Sequence, residues 1–261
     1  MISVLSIVSI ISACALIAYL AYESAISLRD YRLLKQAIAA GDSRARHRYY
    51  REILLFEGVS AVLAVAALRF DFSRFNPVRL QIGGTAFGKW WAMAWTHVDA
   101  GFLWGVGIGV SLAIAVVIVA LRRVRSGTTA SLPTTSPWRK ILPDFSALVP
   151  VTPRERVLFA LVALAAGICE EVVYRAWLLD ALHGAVGLNG ATLVVIAALL
   201  FGVGHFYQGP AGILITSVLG FAFCGLYIAS GTLLVPIVIH ALIDLRVAIF
   251  PTISAASEKS P

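Results

Sequence analysis

Apolar runs of about 20 residues, the length that crosses a bilayer as a helix, recur along this chain with short basic segments between them. That pattern removes most soluble folds. Backbone inside a bilayer must satisfy its own hydrogen bonds, so such runs fold as helices. The expected class is all-α, a polytopic transmembrane helix bundle. Spans are expected at about 2–22, 52–69, 100–121, 155–182, 189–206, 211–229 and 232–249. That gives about seven, or eight if the segment from Asp71 to Asp99 hides another. This segment mixes Arg74, Arg79 and Lys89 with Trp90, Trp91 and Trp95, which suits the headgroup level of a membrane. The N-terminal run has no basic segment before it and is too long for a signal peptide's apolar region, so it reads as a retained span.

Composition agrees. Apolar residue types make up 59% of the chain and charged types 13%, against about 25% charged in a soluble domain. The net charge of +7 could suggest nucleic acid. Its placement argues otherwise, because the bases sit between apolar runs, where charges set topology. One basic loop holds Arg29, Arg32, Lys35, Arg44, Arg46, Arg48 and Arg51. The other holds Arg122, Arg123, Arg125, Arg139, Lys140, Arg154 and Arg156. An even number of spans between them places both on one side, which the positive-inside rule makes cytoplasmic. The N-terminus then faces outward and the C-terminus inward.

Four regions are expected. Residues 1–125 form an N-terminal transmembrane region of unassigned role, and 126–153 a linker rich in Ser, Thr and Pro. Residues 154–250 form the functional core and 251–261 a tail. Gly105, Gly107 and Gly109 suit close helix packing. Cys14, Cys169 and Cys224 lie in apolar runs without C-x-x-C spacing, so they read as packing residues.

Chemistry concentrates in three short patterns. Glu170-Glu171-Val172-Val173-Tyr174-Arg175 lies inside the fourth span, Phe201 to His205 ends the fifth, and His240 to Asp244 lies within the seventh. A charge centred in a bilayer costs about 2.5–3.5 kcal/mol on insertion scales, so such residues face the bundle interior and mark function. Glu171 and Arg175 are four apart and can pair on one helix face. Glu170 points about 100° away and is left for chemistry. Phe201 with His205, and His240 with Asp244, repeat the four-residue spacing. Counting rise from the turns puts Glu170, His205, His240 and Asp244 at similar depth, toward the cytoplasmic half. A polar knot between helices is the structural reading of the same residues. The chemical reading is hydrolysis: a carboxylate in low dielectric takes a proton from water, and histidines or a bound metal steady the oxyanion. The pattern does not choose between a glutamate-activated and a metal-activated water. If a metal is used, Zn2+ is the expected ion, with Glu170, His205, His240 and Asp244 as ligands.

These residues resemble the CPBP family, the CAAX protease and bacteriocin-processing (ABI) intramembrane proteases that include the type II CAAX prenyl endopeptidases. The family pattern is E-E-x-x-x-R, then F-x-x-x-H, then H-x-x-x-N/D on successive helices. Here it reads Glu170, Glu171 and Arg175; Phe201 and His205; His240 and Asp244. The likeness spans roughly Leu142 to Phe250. It implies a membrane-embedded endopeptidase, with Glu170 activating water, His205 as ligand or oxyanion partner, and His240 and Asp244 completing the site. Glu171, Arg175, Phe201 and Tyr174 would support it. Tyr174 stands where Phe is frequent, and its hydroxyl is expected to reach Glu170. The implied partners are the membrane and a peptide or membrane-protein substrate, including CAAX-type prenylated proteins, and the implied location is a bacterial plasma membrane. A non-catalytic scaffold or bacteriocin-immunity factor is the alternative. A transporter fits less well, because the chain lacks paired Gly/Pro-broken helices.

Overall fold

The computed structural model describes residues 4–80, 82–90 and 146–249. The expected third span at 100–121, most of the 126–153 linker, and Trp91 and Trp95 lie outside those residues. Helix α1 runs Val4–Ala39 and α2 runs Ala45–Ala67. Short 3-10 turns follow at Phe72–Phe75, Pro77–Leu80 and Ile82–Gly84, and another at Ser146–Leu148. Helix α3 is Pro153–Glu171; it continues through a π-helical segment, Val172–Leu178, into α4, Leu179–Val186. Then come α5 at Gly190–Gly204, α6 at Gly209–Ser230 and α7 at Leu234–Ile249. The described residues contain no strand, as the all-α reading requires.

The expected first span ends too early. Tyr22 does not close it, and α1 continues to Ala39. No Gly or Pro stands between Ile2 and Ala40 to break the helix, so it runs on until Gly41, which takes a positive φ of 81°. Arg29, Arg32 and Lys35 therefore lie on a helix and not in a loop. Helix α2 likewise begins at Ala45 and carries Arg46, Arg48 and Arg51 in its first turns. The short turn between them is fastened by Asp42, which accepts from the Arg44 N–H and the Arg48 side chain. Those bonds, Arg48 first, hold the Asp42 carboxyl below its ordinary range.

The start of α2 touches the described end of the second basic segment. Arg46 Nε donates to the Ala147 carbonyl at 3.0 Å, and the Tyr50 hydroxyl to the Leu148 carbonyl at 2.8 Å. Just beyond, Thr152 caps α3 reciprocally with Glu155. The Glu155 N–H donates to Thr152 Oγ1 at 3.2 Å, while Glu155 Oε2 accepts from the Thr152 and Val151 N–H groups at 3.0 and 2.8 Å.

The bundle is built inside out relative to a soluble protein. Along α3, Val157, Leu161, Leu164 and Ile168 are exposed at helical spacing, while Glu171 and Arg175 are fully buried. On α5, α6 and α7 the exposed set includes Leu199, Val203, Leu214, Val218, Val238 and Leu242. An apolar exterior around a polar centre is what lipid selects. Three described stretches are long and apolar enough to cross a membrane: Ile7–Ala39, Pro153–Val186 and Phe206–Ser230. Gly190–Gly204 is a shorter apolar helix.

Small residues set the helix spacing. A Cβ at Gly167 would lie 2.8 Å from both Cβ and N of Ala241, so this glycine lets α7 press directly on α3. At Gly202, a Cβ would collide with Ser217 and lie 2.6 Å from the Ile213 carbonyl oxygen, which fixes α5 on α6.

The stretch expected at the interface folds, in its described part, as a plug. Leu80 and Ile82 are buried in the core with Leu179 and Leu193. Arg79 donates to the Ala176 carbonyl at 2.8 Å. Arg74 and Arg79 both pair with Asp180, at 2.8 and 3.0 Å.

Candidate active site

The site is assembled where the π-helical segment begins. A π turn widens the helix by one residue and is often found at functional positions. Here it starts directly after Glu170-Glu171. A plain α-helix is the sequence expectation, and the widened turn is the departure from it.

Glu171 points inward and is completely buried. Its Oε1 accepts from Arg175 Nη1 at 3.0 Å, the expected ion pair at i,i+4. Arg175 also donates to the Gly220 carbonyl at 3.2 Å. Its guanidinium lies 4.5 Å from the Phe201 ring centre and 5.2 Å from that of Phe223, so the charge is held between two aromatic faces. A Cβ at Gly220 would lie 2.9 Å from the Phe201 ring; the glycine gives that ring its place.

Glu171 has a second partner. His240 Nδ1 lies 2.8 Å from the same Oε1. A carboxylate can only accept, so His240 donates through Nδ1–H and turns Nε2 toward the other acids. Phe223 stacks on its ring at 4.8 Å between centres, with 21° between planes. His205 is fixed by the same logic from another element. It follows the last residue of α5, and its Nδ1 lies 2.9 Å from the Phe201 carbonyl oxygen, again an acceptor only. Its Nε2 is therefore free to act. The Phe201 ring, 4.8 Å from that of His205 and 6.1 Å from that of His240, fills the space behind both.

Both Nε2 atoms converge on one oxygen. Glu170 Oε2 lies 3.9 Å from His205 Nε2 and 3.8 Å from His240 Nε2. Among the described residues this buried oxygen has no hydrogen-bond partner. Asp244 Oδ2 lies 3.6 Å from His240 Nε2, one turn along α7, with its side chain 37% exposed against 15% for Glu170. That difference sets Asp244 at the mouth and Glu170 at the base. All four residues singled out in the sequence are thus brought together, from α3, the end of α5, and α7.

Tyr174 takes a different place from the one expected. It stands edge-on to Phe201 at 4.9 Å, with its hydroxyl against Gly204. Its hydroxyl makes no described hydrogen bond to Glu170. Phe223 and Glu57 carry no motif and are absent from the expected set. Glu57, in α2, is buried. Among the described residues, no group of three or more His, Cys, Asp or Glu is gathered closely enough to hold a metal ion as it stands. The cysteines are unbonded: Cys14 is exposed, Cys169 half-buried and Cys224 buried.

Residues 152–246 match the family model described as Rce1-like, type II CAAX prenyl endopeptidase. The resemblance carried by the three motifs is therefore shown over this segment. The match takes in α3 to α7 almost entirely and leaves α1 and α2 outside it. Neither a curated protein nor a solved structure matches the chain. The match covers less than half of the 261 residues and marks this segment as similar to that family. The apolar spans agree with an integral membrane position.

Proposed function

We propose that the protein hydrolyses peptide bonds of membrane-associated substrates, CAAX-type prenylated chains among them, with Glu170 activating the attacking water. One observation carries this reading: two histidines, each locked through Nδ1, present Nε2 to the same unpartnered, buried carboxylate oxygen. The gaps of 3.6–3.9 Å among these atoms are too long for direct hydrogen bonds and suit one bridging water.

In this reading Glu170 takes a proton from the water, and the hydroxide oxygen bonds to the scissile carbonyl carbon. The carbonyl oxygen becomes an oxyanion and accepts from Nε2–H of a protonated His240, whose charge is supported by Glu171 through Nδ1. His205 Nε2 orients the water. Glu170 then returns its proton to the amide nitrogen as the C–N bond breaks, and an acid and an amine leave. Asp244 stands where the substrate enters. The site opens toward the basic, cytoplasmic side in this account. Its support is Tyr207, two residues past His205, which packs at 5.7 Å on Tyr31, in the basic part of α1.

A zinc-dependent form is the second reading. Its support is the donor set, two bare imidazole nitrogens beside two carboxylates, which is zinc chemistry. Bound there by His205, His240, Asp244 and Glu170, the ion would polarise the carbonyl and lower the pKa of water. The described side chains would first have to draw together. Purified protein incubated with a farnesylated CAAX peptide should release the terminal tripeptide, detected by mass spectrometry. Release that survives dialysis against a chelator supports the glutamate form. Release abolished by the chelator and restored by zinc selects the metal form, and no release from wild type contradicts both.

A further inference from the structure

Helices α1 and α2 enclose a groove of about 660 Å³ that the chemistry described so far does not use. Its walls follow helical spacing on both sides, with Tyr22, Ile26 and Leu33 on α1 and Tyr49, Ile53 and Phe56 on α2. From Tyr19 to Ala37 it extends about 27 Å along α1, at 1.5 Å per residue. That length takes about eight residues of extended chain. At the end away from the α1–α2 turn, Tyr19 packs on Phe56 across the seam at 5.1 Å. The other end adjoins the site. Leu34, Ala37, Ala45 and Tyr49 line the groove and belong to the cluster that packs Tyr31 with Tyr207. The Tyr207 ring lies 5.7 Å from that of Tyr31 and 6.3 Å from that of His205.

The charge of the groove opposes that of the chain. The chain carries +7, yet three acids and two bases line this cavity. Both bases are spent: Arg29 pairs with Asp30 at 3.0 Å, and Arg48 pairs with Asp42 outside the groove. Glu23, half-buried, and Glu52, exposed, form no ion pair or hydrogen bond among the described residues. An unpaired acid in a spanning helix is costly and is retained where it serves function. We propose that this groove binds a basic segment of the substrate chain, with Lys or Arg alternating with apolar residues, upstream of the scissile bond. The inference rests on the hydrolytic reading above and adds the class of substrate to it. Apolar stems of Lys or Arg lie along Ile26 and Ile53, while their charged heads reach Glu23 and Glu52 and stack on Tyr22 and Tyr49. The same segment is repelled by the bases around the groove, so the two acids also set its register. The ring contacts from His205 to Tyr31 amount to roughly four residues of extended chain. A released tripeptide is too short to reach the groove, which leaves the upstream flank as its occupant.

The test uses the full chain in nanodiscs of neutral lipid and two labelled octapeptides, one alternating Lys with Val and the other Glu with Val. By fluorescence anisotropy, wild type should bind the Lys peptide about tenfold more tightly than a chain carrying Glu23→Gln with Glu52→Gln, and the gap should shrink as salt rises. Equal affinity of the two chains for the Lys peptide overturns the inference. Cleavage gives a second readout. With wild type, a substrate carrying Lys upstream of the scissile bond should show a KM about tenfold below that of its Ser counterpart. The double variant should lose that advantage and keep the wild-type kcat. A double variant slowed equally on both substrates overturns the inference, because the acids then serve the fold. Glu52→Lys alone should move the binding preference toward the Glu peptide. An ethanolamine-headgroup lipid that copurifies with wild type and not with the double variant, with peptide binding unmoved, overturns the inference in favour of a lipid site. If wild type cleaves nothing, the hydrolytic reading fails, and the octapeptide affinities still decide what the groove binds.

Discussion

Two neighbouring glutamates on one turn of helix live in opposite surroundings. Glu171 is sealed from solvent and charge-paired: its Oε1 receives two donors, Arg175 cancels its charge, and Phe201 and Phe223 sandwich the arginine, although its Oε2, like that of Glu170, has no described partner. Glu170 is left with a bare oxygen facing two nitrogens across a gap. The contrast separates scaffolding from chemistry. A buried charge whose partners neutralise it is structure. A buried charge whose neighbours are aimed at it, but do not touch it, is poised for a guest. The sealed side also serves the open side, because Glu171 is what orients His240.

The sharpest way to break this contrast is Glu170→Gln. Loss of a general base costs about 10²–10⁴ in rate, while the fold should be untouched, since no described hydrogen bond ends on Oε2. Peptide cleavage and a thermal melt check the two halves separately. A fall in melting temperature as large as that expected for Arg175→Ala would mean that Glu170 is scaffolding too.

Arg175→Ala is the mirror experiment. It leaves Glu171 buried and unpaired, which costs about 3–5 kcal/mol. Yield and melting temperature should drop even if the purified remainder is assayed at matched concentration. Adding Glu171→Gln to Arg175→Ala should recover part of the stability and none of the activity, because His240 then faces a neutral amide in place of the carboxylate. Full recovery of activity would show that Glu171 does not orient the histidine.

A smaller effect is expected where the two faces are held together. Gly167→Ala places a methyl 2.8 Å from Cβ and N of Ala241, closer than real Cβ atoms approach, so α7 must move away from α3 and carry His240 and Asp244 with it. A decrease in kcat of about tenfold is expected, with KM nearly constant. Unchanged kcat would show that the site tolerates this displacement.

The smallest effect belongs to the other ion cluster on the same helix. Asp180 pairs with Arg74 and Arg79 where side chains are 21–35% exposed. Asp180→Asn should cost less than about 1 kcal/mol, because solvent screens the pair. The contrast with Arg175→Ala measures what burial adds.

How much of this was readable from residues alone follows the same division. E-E-x-x-x-R, F-x-x-x-H and H-x-x-x-D stand out because charges in apolar runs are costly, and four-residue spacing carries over into shared faces. The ion pair and the meeting of Glu170 with both histidines follow from that. The end of the first helix was drawn too early, near Tyr22 instead of Ala39, because bases on α1 look like a loop when hydropathy alone is read, although nothing in the sequence breaks the helix. Thr152-Pro153-Arg154-Glu155 did hold a start signal for α3. Phe223 could not be found, since one aromatic in an apolar span has no periodic mark. The π segment leaves no mark in the spacing of the residues. Glu57 was findable: an acid inside the expected 52–69 span met the same cost argument as Glu170, but it stood alone without a motif.

The central claim, that Glu170 is the chemical glutamate of the pair, is tested most directly in membranes. The measurement compares protein C-termini and released peptides by mass spectrometry in cells that express wild type or Glu170→Gln at equal level. The account predicts new termini with wild type alone. Identical peptide profiles from the two would contradict it and favour a scaffold or immunity role for the same bundle.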